Sequence, residues 1–300
     1  MKLPKIETYN DITIVRDDIP FPFPSPNFSK IRGIEEHVKK IVSPNICILD
    51  TIMSRCGWGL SYVCRNLDKQ VYNFYSRRKQ GIDFYRKMSE SFGAKTIPIM
   101  GTHQKIAKIF AEKWLKEQKI NDYQFLPLGL AVQEKIDAHV DLVSKLPSHI
   151  FEGSLVCCVS SGTIFSGLLK GIRKLGYNTE LYGVQAHSWK NREDTIKSKV
   201  KISRTRSLLG ENVSYRGWQI IDLGYNYLDQ VKESPPFPCD RYLDRKAWQF
   251  VERFSKKLKR PITFWNIGGE WSPDHGLEGN LRGDGTVTPE QIKEYFERII

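Results

Sequence analysis

The chain has 300 residues, 40% of them hydrophobic and 12% aromatic, so it can bury one or two cores and is not a disordered polypeptide. Its 46 Lys and Arg against 34 Asp and Glu give a net charge of +12, which favours polyanionic partners and keeps nucleic acid among the candidate ligands. The amino-terminal stretch MKLPKIETYNDITIV lacks the apolar run of a signal peptide, and no segment is apolar enough to span a membrane, so we expect a cytoplasmic protein without membrane contact.

Short apolar or β-branched runs alternate with helical patterns along most of the chain. We expect strands at 46–52, 71–76, 96–100, 124–129, 154–160, 180–186, 219–224 and 262–268. Alternation of this kind is typical of βαβ units, in which helices cover both faces of a parallel sheet. The sequence therefore predicts an α/β fold.

A helical pattern, HQKIAKIFAEKWLKEQ, follows the third of these runs. Ile106, Ile109, Phe110 and Trp114 recur on one face at helical spacing, and lysines occupy the other face. We expect the apolar face to pack in the core.

The stretch VCCVSSGTIFSG joins the fifth predicted strand to a helix through small and hydroxylated residues. The first amides of such a helix, at Thr163 and Ile164, lie at the positive end of its dipole beside the hydroxyls of Ser161 and Thr163, which suits a phosphate dianion. Gly162 and Gly167 permit close approach. Many α/β crossovers carry Gly and Ser at this place only for tight packing, so that alternative stays open.

A lysine near the amino terminus stands in a further motif. Val15-Arg-Asp-Asp18 precedes Lys30 in PNFSKIRG, and this order resembles the R-[ED]-D…G-N-K-x-R-K-L pattern of the fold-type II, or tryptophan synthase β-like, pyridoxal-phosphate enzymes. Within that family the pattern looks most like aminocyclopropane-carboxylate (ACC) deaminase and D-cysteine desulfhydrase. The resemblance implies pyridoxal phosphate as cofactor, with Lys30 as its Schiff-base lysine and as the catalytic acid or base at the substrate's α-carbon. The alternative is that Lys30 is an ordinary surface lysine.

The segment Met53-Ser-Arg-Cys-Gly-Trp-Gly59 is similar to the S-x-G-N-x-G loop of the same family. The resemblance implies that this loop binds the substrate's carboxylate. The residues concerned are Ser54, Arg55, Cys56, Gly57 and Gly59. A turn into a helix with a free hydroxyl and exposed amides is suited to that task, and Arg55 could add a charged contact.

The last third of the chain carries a fourth similarity. Cys239-Asp-Arg-Tyr-Leu-Asp-Arg-Lys-Ala247, followed by ITFWNIGGE, resembles the family's D-P-x-Y-x-x-K-A and T-G-G segments. The resemblance thus covers most of the chain, and it implies two open, mostly parallel twisted sheets flanked by helices, with pyridoxal phosphate in the cleft between two domains. We expect a large cofactor-binding domain from 1–44 plus 150–300, a small domain from 45–149, and a homodimer.

The sequence also departs from the family pattern. Ser29 replaces the Asn of G-N-K, Gly57 replaces the loop Asn that contacts the cofactor ring in the family, and R-K-L becomes Arg-Gly-Ile at 32–34. Ile267 stands where the family often has a hydroxyl near the pyridine nitrogen, which leaves Asn266 or Glu270 as the substitute. We therefore add Asn266 to the cofactor-binding residues.

Two functions remain open at this point. The first is a pyridoxal-phosphate enzyme of the lyase, deaminase or decarboxylase type, acting on an amino acid that is free or carried on a nucleic acid such as hypermodified DNA. The alternative is a catalytically degenerate protein of the same fold, serving as a nucleic-acid-binding or scaffold subunit. The basic segment 189–206 is a candidate DNA contact or simply a solvated loop.

The remaining residues point to neither disulfides nor metals. The six cysteines lack paired CxxC spacing, so we expect reduced, buried thiols. The Gly- and Asp-rich stretch 274–287 lacks the regularly spaced ligands of a calcium loop, and we expect no bound metal.

Overall fold

A computed structural model of the protein describes residues 2–21, 24–51, 54–76, 83–100, 104–187 and 217–269. The basic segment 189–206, the stretch 274–287 and Glu270 lie outside the described residues.

The described residues form two sheets and the helices that flank them. The strands are β1 Lys5–Tyr9, β2 Ile12–Arg16, β3 Asn45–Asp50, β4 Gln70–Ser76, β5 Lys95–Ile99, β6 Gln124–Leu126, β7 Gly153–Val159, β8 Thr179–Gln185, β9 Trp218–Ile221 and β10 Ile262–Asn266. The α-helices are α1 Ile34–Lys39, α2 Cys56–Cys64, α3 Asp83–Ser91, α4 Gln104–Glu117, α5 Gln133–Lys145, α6 Thr163–Lys174 and α7 Asp244–Phe254. Short 3₁₀ helices cover Ser29–Ile31, Leu128–Leu130, Ser148–Phe151 and Ser255–Lys257.

The larger sheet has the strand order β1-β2-β10-β7-β8-β9, and the smaller sheet has the order β5-β4-β3-β6. All neighbouring strands are parallel except β1 and β2. The predicted α/β class and all eight predicted strands are confirmed. The β1–β2 hairpin was not predicted, although the Asn10-Asp11 turn between two β-prone segments is a hairpin signal, and both turn residues have positive φ angles of 44° and 62°.

The described chain divides into two compact units, residues 2–33 with 131–269 and residues 34–130. The first contains the larger sheet and the second contains the smaller one. These limits differ from the predicted ones at both ends of the smaller domain. Helix α5 joins the first unit because it packs closely on α6, where a Cβ atom at Gly167 would lie 2.6 Å from the His139 Cβ. Helix α1 joins the second unit, where it contacts α2.

Helix α4 does not turn the predicted face inward. Ile106 and Ile109 are 49% and 64% exposed, whereas Ala107, Ala111 and Leu115 are buried against the smaller sheet. The prediction of a buried stripe through the large apolar residues is therefore wrong, since the small alanines let the helix approach the sheet closely. Trp114 is the predicted member that does pack against this core.

Two further findings concern the whole described chain. All six cysteines are buried and free, as predicted. Among the helices in the described ranges, none is long and apolar enough to cross a membrane.

Candidate cofactor and substrate site

The segment that carries Lys30 is hydrogen-bonded to the paired glycines near the end of the described chain. The Ser29 amide donates to the Ile267 carbonyl at 2.9 Å, and the Gly269 amide donates to the Asn27 carbonyl at 3.0 Å. Asn27 itself adopts the left-handed conformation, with φ of 48°. Two motifs separated by more than 200 residues in the sequence thus lie side by side.

Asp18 of the Arg-Asp-Asp motif lies beside the same turn. Its carboxylate accepts hydrogen bonds from Arg16 at 2.9 and 2.7 Å and from Asn266 Nδ2 at 3.0 Å. A Cβ atom at Gly269 would lie 2.7 Å from Asp18 Oδ2, so only glycine fits there. The position of Asp18 therefore requires a glycine at residue 269.

Asp17 fixes the other side of the Lys30 segment. Its carboxylate accepts hydrogen bonds from Arg32 Nε at 2.9 Å and from Trp265 Nε1 at 3.2 Å, and His139 Nε2 lies 3.7 Å away. Burial acts to raise the pKa of this carboxyl, but the nearby imidazole of His139 and the positive charge of Arg32 outweigh it and hold the pKa below its ordinary value. Asp17 is therefore an ionised anchor for the residues that follow Lys30.

The fourth motif also reaches this turn. Asp244, at the start of α7, accepts hydrogen bonds from the amides of Ile267 and Gly268, each at 3.2 Å. The segment 239–247 and the paired glycines, which the resemblance associates by order alone, are thus in direct contact.

Lys30 is half-buried, and its Nζ lies 5.8 Å from the centre of the Phe28 ring. Within the described part of the chain this amine has neither a hydrogen-bond partner nor an ion pair. Burial and the charge of Asp244 raise the pKa of the Cys158 thiol well above its ordinary value, and the charge of Lys30 opposes them. The amine therefore lies within electrostatic reach of the carboxyl end of β7.

The loop after β7 has the features predicted for a phosphate site. Gly162 has a φ of 82° and precedes α6, whose first turn contains no acidic residue. The hydroxyls of Ser161 and Thr163 lie 3.1 Å apart, and Thr163 and Ile164 form the first helical turn. Gly167, in contrast, lies inside α6 and faces α5, so its small size serves helix packing and not a phosphate.

Strand pairing places this loop at the same sheet edge as Asn266. Strands β7 and β10 are parallel neighbours, with Cys157 opposite Trp265, and both end at this edge. Asn266 Nδ2 donates to Asp18 and to the Pro238 carbonyl, each at 3.0 Å, so its amide nitrogen is already occupied. Its Oδ1 is buried and has no partner among the described residues.

These residues fit pyridoxal phosphate. The start of α6 offers amides and two hydroxyls to a phosphate dianion, and Lys30 offers an amine without an acidic partner in the described chain. The buried hydroxyl of Ser29 and Oδ1 of Asn266 likewise lack partners within the described ranges, and such orphaned groups are rare unless a ligand satisfies them. No group of three or more His, Cys, Asp or Glu side chains suited to a metal ion occurs among the described residues.

The predicted substrate loop lies in the second unit, at the start of α2. The Cys56 amide donates to Ser54 Oγ at 3.0 Å, and the Gly59 amide donates to the Arg55 carbonyl within the helix. Arg55 is buried, and its guanidinium lies over the Tyr85 ring, 5.5 Å from the ring centre. The five predicted residues are therefore brought together, but most of their polar groups already have partners inside the chain.

Asp50, at the end of β3, is a residue of this loop region that the sequence motifs did not indicate. The Gly57 amide donates to Asp50 Oδ2 at 2.8 Å, and the Thr51 amide donates to Oδ1 at 3.1 Å. Burial raises the pKa of Asp50 to about 6, although hydrogen bonds from Ser54, Gly57, Thr51 and Asn73 act to lower it. A carboxyl group at the end of a predicted strand, shortly before a Gly-containing helix start, is the signal that could have indicated it.

Comparisons with known proteins find a relative along most of the chain. A protein of Pseudomonas phage M6 named glycyl-dTMP PLP-dependent decarboxylase is 32% identical to this chain over 277 residues, which cover 88% of this chain and 97% of that protein. No protein-family model matches the chain.

Several solved structures share the fold. An ACC deaminase homologue superposes with a TM-score of 0.72 at 18% identity over 90% of each chain. A hydrogen sulfide-producing enzyme from Fusobacterium nucleatum has a TM-score of 0.62 at 14% identity and covers 89% of this chain and 93% of its own. A fungal L-serine ammonia-lyase from Rhizomucor miehei has a TM-score of 0.62 at 12% identity and covers 100% of this chain and 99% of its own. At such identities the likeness concerns the fold alone.

The relationship to a decarboxylase does not favour the alternative of a catalytically degenerate scaffold. The cofactor is pyridoxal phosphate, as predicted, and the chain is an enzyme. The order of its motifs, the shared fold and the full-length relationship to the phage M6 protein together show that the chain belongs to the fold-type II, tryptophan synthase β-like family of pyridoxal-phosphate-dependent enzymes.

Proposed function

We propose that this enzyme is a decarboxylase of an amino-acid group, such as a glycyl group, that is carried on a thymidine nucleotide. The observation that carries the proposal is the 32% identity to the phage M6 protein, whose name describes such a substrate and reaction. The net charge of +12 supports an anionic substrate, because a basic protein attracts the phosphate of a nucleotide.

The residues of the first unit have distinct tasks in this proposal. Pyridoxal phosphate, when bound, supplies an aldehyde that takes up the amino group and a ring that accepts the electron pair released at the α-carbon. The amides at the start of α6 and the hydroxyls of Ser161 and Thr163 would bind the phosphate, and Lys30 Nζ would hold the aldehyde carbon. Ser29 and Asn266 would offer their unpartnered oxygens to the remaining polar groups of the cofactor.

Decarboxylation also requires a proton. The bond between the α-carbon and the carboxylate carbon breaks, carbon dioxide leaves, and the α-carbon takes up one proton in its place. Lys30 Nζ would deliver that proton, because an amine that holds the cofactor would lie beside the α-carbon and can act there as a general acid. Asp17 and Arg32 position the lysine by fixing the segment on which it lies.

The test is an assay with glycyl-dTMP. Purified protein incubated with pyridoxal phosphate should absorb at about 410–420 nm, and adding glycyl-dTMP should release carbon dioxide and yield the decarboxylated nucleotide by mass spectrometry. Lys30→Ala should lose both the absorbance and the product, whereas Lys39→Ala, a change on the exposed face of α1, should keep both. A Lys30→Ala protein that retains the absorbance, or a wild-type protein that releases no carbon dioxide from the nucleotide, contradicts the proposal.

The form of the carrier is a separate question. Glycyl-dTMP, the corresponding nucleoside, free glycine and an oligonucleotide containing the modified base should be compared at equal concentration. We expect the nucleotide to be preferred over the nucleoside and over glycine. Retention on DNA that disappears by about 200 mM salt would support the predicted DNA contact, and indifference to DNA at low salt would remove it.

The homodimer also stays a prediction, and light scattering of the cofactor-loaded protein tests it. A mass of one chain under assay conditions would contradict it.

A further inference from the structure

The anion-binding position at the start of α2 is filled by a carboxylate of the chain itself. Asp50 accepts hydrogen bonds from the amides of Gly57 and Thr51 and from the side chain of Ser54. Helix α2 has nine residues, and its N-cap residue, Arg55, makes no side-chain cap of its own. The groups that would attract an external carboxylate to this loop are therefore already used.

Residue 57 is a glycine because Asp50 and Asn73 occupy the space that a side chain would need. A Cβ atom at Gly57 would collide with the amide nitrogen of Asn73 and would lie 2.6 Å from Asp50 Oδ2. Asn73 is on β4, the strand next to β3, so a neighbouring strand fills the space that a larger residue 57 would need. Any larger residue at position 57 would have to displace the Asp50–Asn73 pair.

Asn73 also supplies an independent sign of a ligand. Its side chain is 2% exposed, and its Oδ1 has no hydrogen-bond partner among the described residues. Its amide nitrogen, in contrast, is engaged with Asp50. A buried acceptor without a donor is costly, and a ligand N–H group would relieve that cost.

We propose that Asp50 is a specificity-determining residue that keeps the substrate's carboxylate out of the 54–59 loop, and that the neighbouring Asn73 offers its Oδ1 as an acceptor to an N–H or ammonium group of the substrate. The loop would therefore attract a cation and repel a carboxylate, whereas the sequence suggested a loop that binds a carboxylate. We call this charge preference the polarity of the loop. The proposal rests on the proposed function, and it bears on how easily the substrate's carboxylate is lost. A carboxylate that receives no hydrogen bonds from this loop is less stabilised in the bound substrate, and less stabilisation is lost when it leaves as carbon dioxide.

The NMR signal of the Gly57 amide should change when a ligand binds in the loop. The experiment records its ¹H–¹⁵N signal in the cofactor-loaded, full-length protein while acetate is added as a carboxylate probe, for wild type, Asp50→Ala and Asp50→Asn. In wild type we expect no response of this signal to acetate. In Asp50→Ala the vacated donors should bind acetate, at least about tenfold more tightly than the upper limit set by the wild-type titration. Asp50→Asn is the matched control, because its side-chain oxygen still accepts the Gly57 hydrogen bond. This variant should not bind acetate in the loop.

Two results would overturn the proposal. Acetate that shifts the Gly57 signal of the wild-type protein overturns the proposal, and this measurement does not depend on whether either variant folds. A folded Asp50→Ala protein that gains no acetate affinity shows that Asp50 is a helix cap alone, and it also overturns the proposal. Methylammonium is the probe for the acceptor, Asn73 Oδ1. It should perturb the Asn73 side-chain amide signals in wild type and have less effect in Asp50→Ala.

These readouts are independent of the reaction. If glycyl-dTMP is not decarboxylated but the Gly57 signal behaves as expected, the proposed function fails and the polarity of the loop stands. If the nucleotide is decarboxylated while acetate binds the wild-type loop, the polarity fails and the function stands.

Discussion

Arg32 Nη2 lies 2.5 Å from Asp17 Oδ1 in a buried ion pair, and this pair joins the end of β2 to the segment that carries Lys30. Arg32 also donates to the carbonyl of Lys2 at 2.7 Å, which ties the amino-terminal residues to the same point. Because both charges are removed from water, loss of either residue leaves the other buried without this opposite charge.

We therefore expect Arg32→Ala to lower the free energy of unfolding by about 3–5 kcal/mol, measured by urea denaturation. The same variant should bind pyridoxal phosphate more weakly, because the Lys30 segment loses its anchor. Lys39→Ala is the control, since it removes an exposed ion pair with Glu35 and should leave the unfolding transition nearly unchanged. Equal urea midpoints for Arg32→Ala and wild type would show that the pair does not hold this segment.

Gly33 follows this pair and explains one departure from the family pattern. Its φ is 72°, and a Cβ atom there would collide with the backbone carbonyl of Glu134 at the start of α5. Gly33→Ala should destabilise the protein by more than about 2 kcal/mol, because it adds a steric clash to the cost of the left-handed conformation. Gly176→Ala is a matched control, since its φ is 71° but no atom lies within 4 Å of the added Cβ, and it should cost only about 1–2 kcal/mol. Equal losses in the two variants, measured by thermal unfolding, would exclude the clash.

The phosphate loop can be tested through cofactor affinity. Thr163→Val removes one hydroxyl without changing the shape of the side chain, and it should raise the dissociation constant for pyridoxal phosphate about tenfold to a hundredfold, as expected for loss of a hydrogen bond to a charged group. Ser161→Ala should act in the same direction. Ser144→Ala, whose hydroxyl bonds only within α5, should leave the affinity unchanged. Fluorescence titration of the apoprotein measures all three, and an unaltered affinity in both loop variants would place the phosphate elsewhere.

Asp50 predicts a pH dependence of stability. Burial raises its pKa from the ordinary 3.8 to about 6 in the folded protein, so folding favours the protonated form. Its stabilising contribution is complete below about pH 4 and is lost as the pH rises through about 6, on the order of 2–3 kcal/mol in total. The stability of wild type relative to Asp50→Asn should therefore increase as the pH falls from 7.5 to about 5, measured by denaturation at each pH. Asp137→Asn, an exposed change, should show no such difference, and a constant gap between wild type and Asp50→Asn would contradict the raised pKa.

The sequence by itself determined the α/β class, eight of the ten described strands and the order of the motifs. These features depend on local periodicity and on short contiguous segments, which the chain carries wherever it folds. The turn at 161–164 into a helix was predictable for the same reason, because it is built from consecutive residues. The role of Lys30 stays a prediction, and it depends on the order of several motifs, since a single lysine carries no local signal.

Tertiary structure alone decided which side chains meet across strands and helices. Asn73 reaches Gly57 only because β4 pairs with β3 in a particular register, and Gly33 is required only because α5 packs against it. Likewise, the inward face of α4 depends on how closely a helix can approach the sheet, so small alanines are buried while larger isoleucines are exposed. The occupation of the substrate loop by Asp50 is of this kind, because strand pairing and helix packing set distances that residue spacing along the chain does not encode.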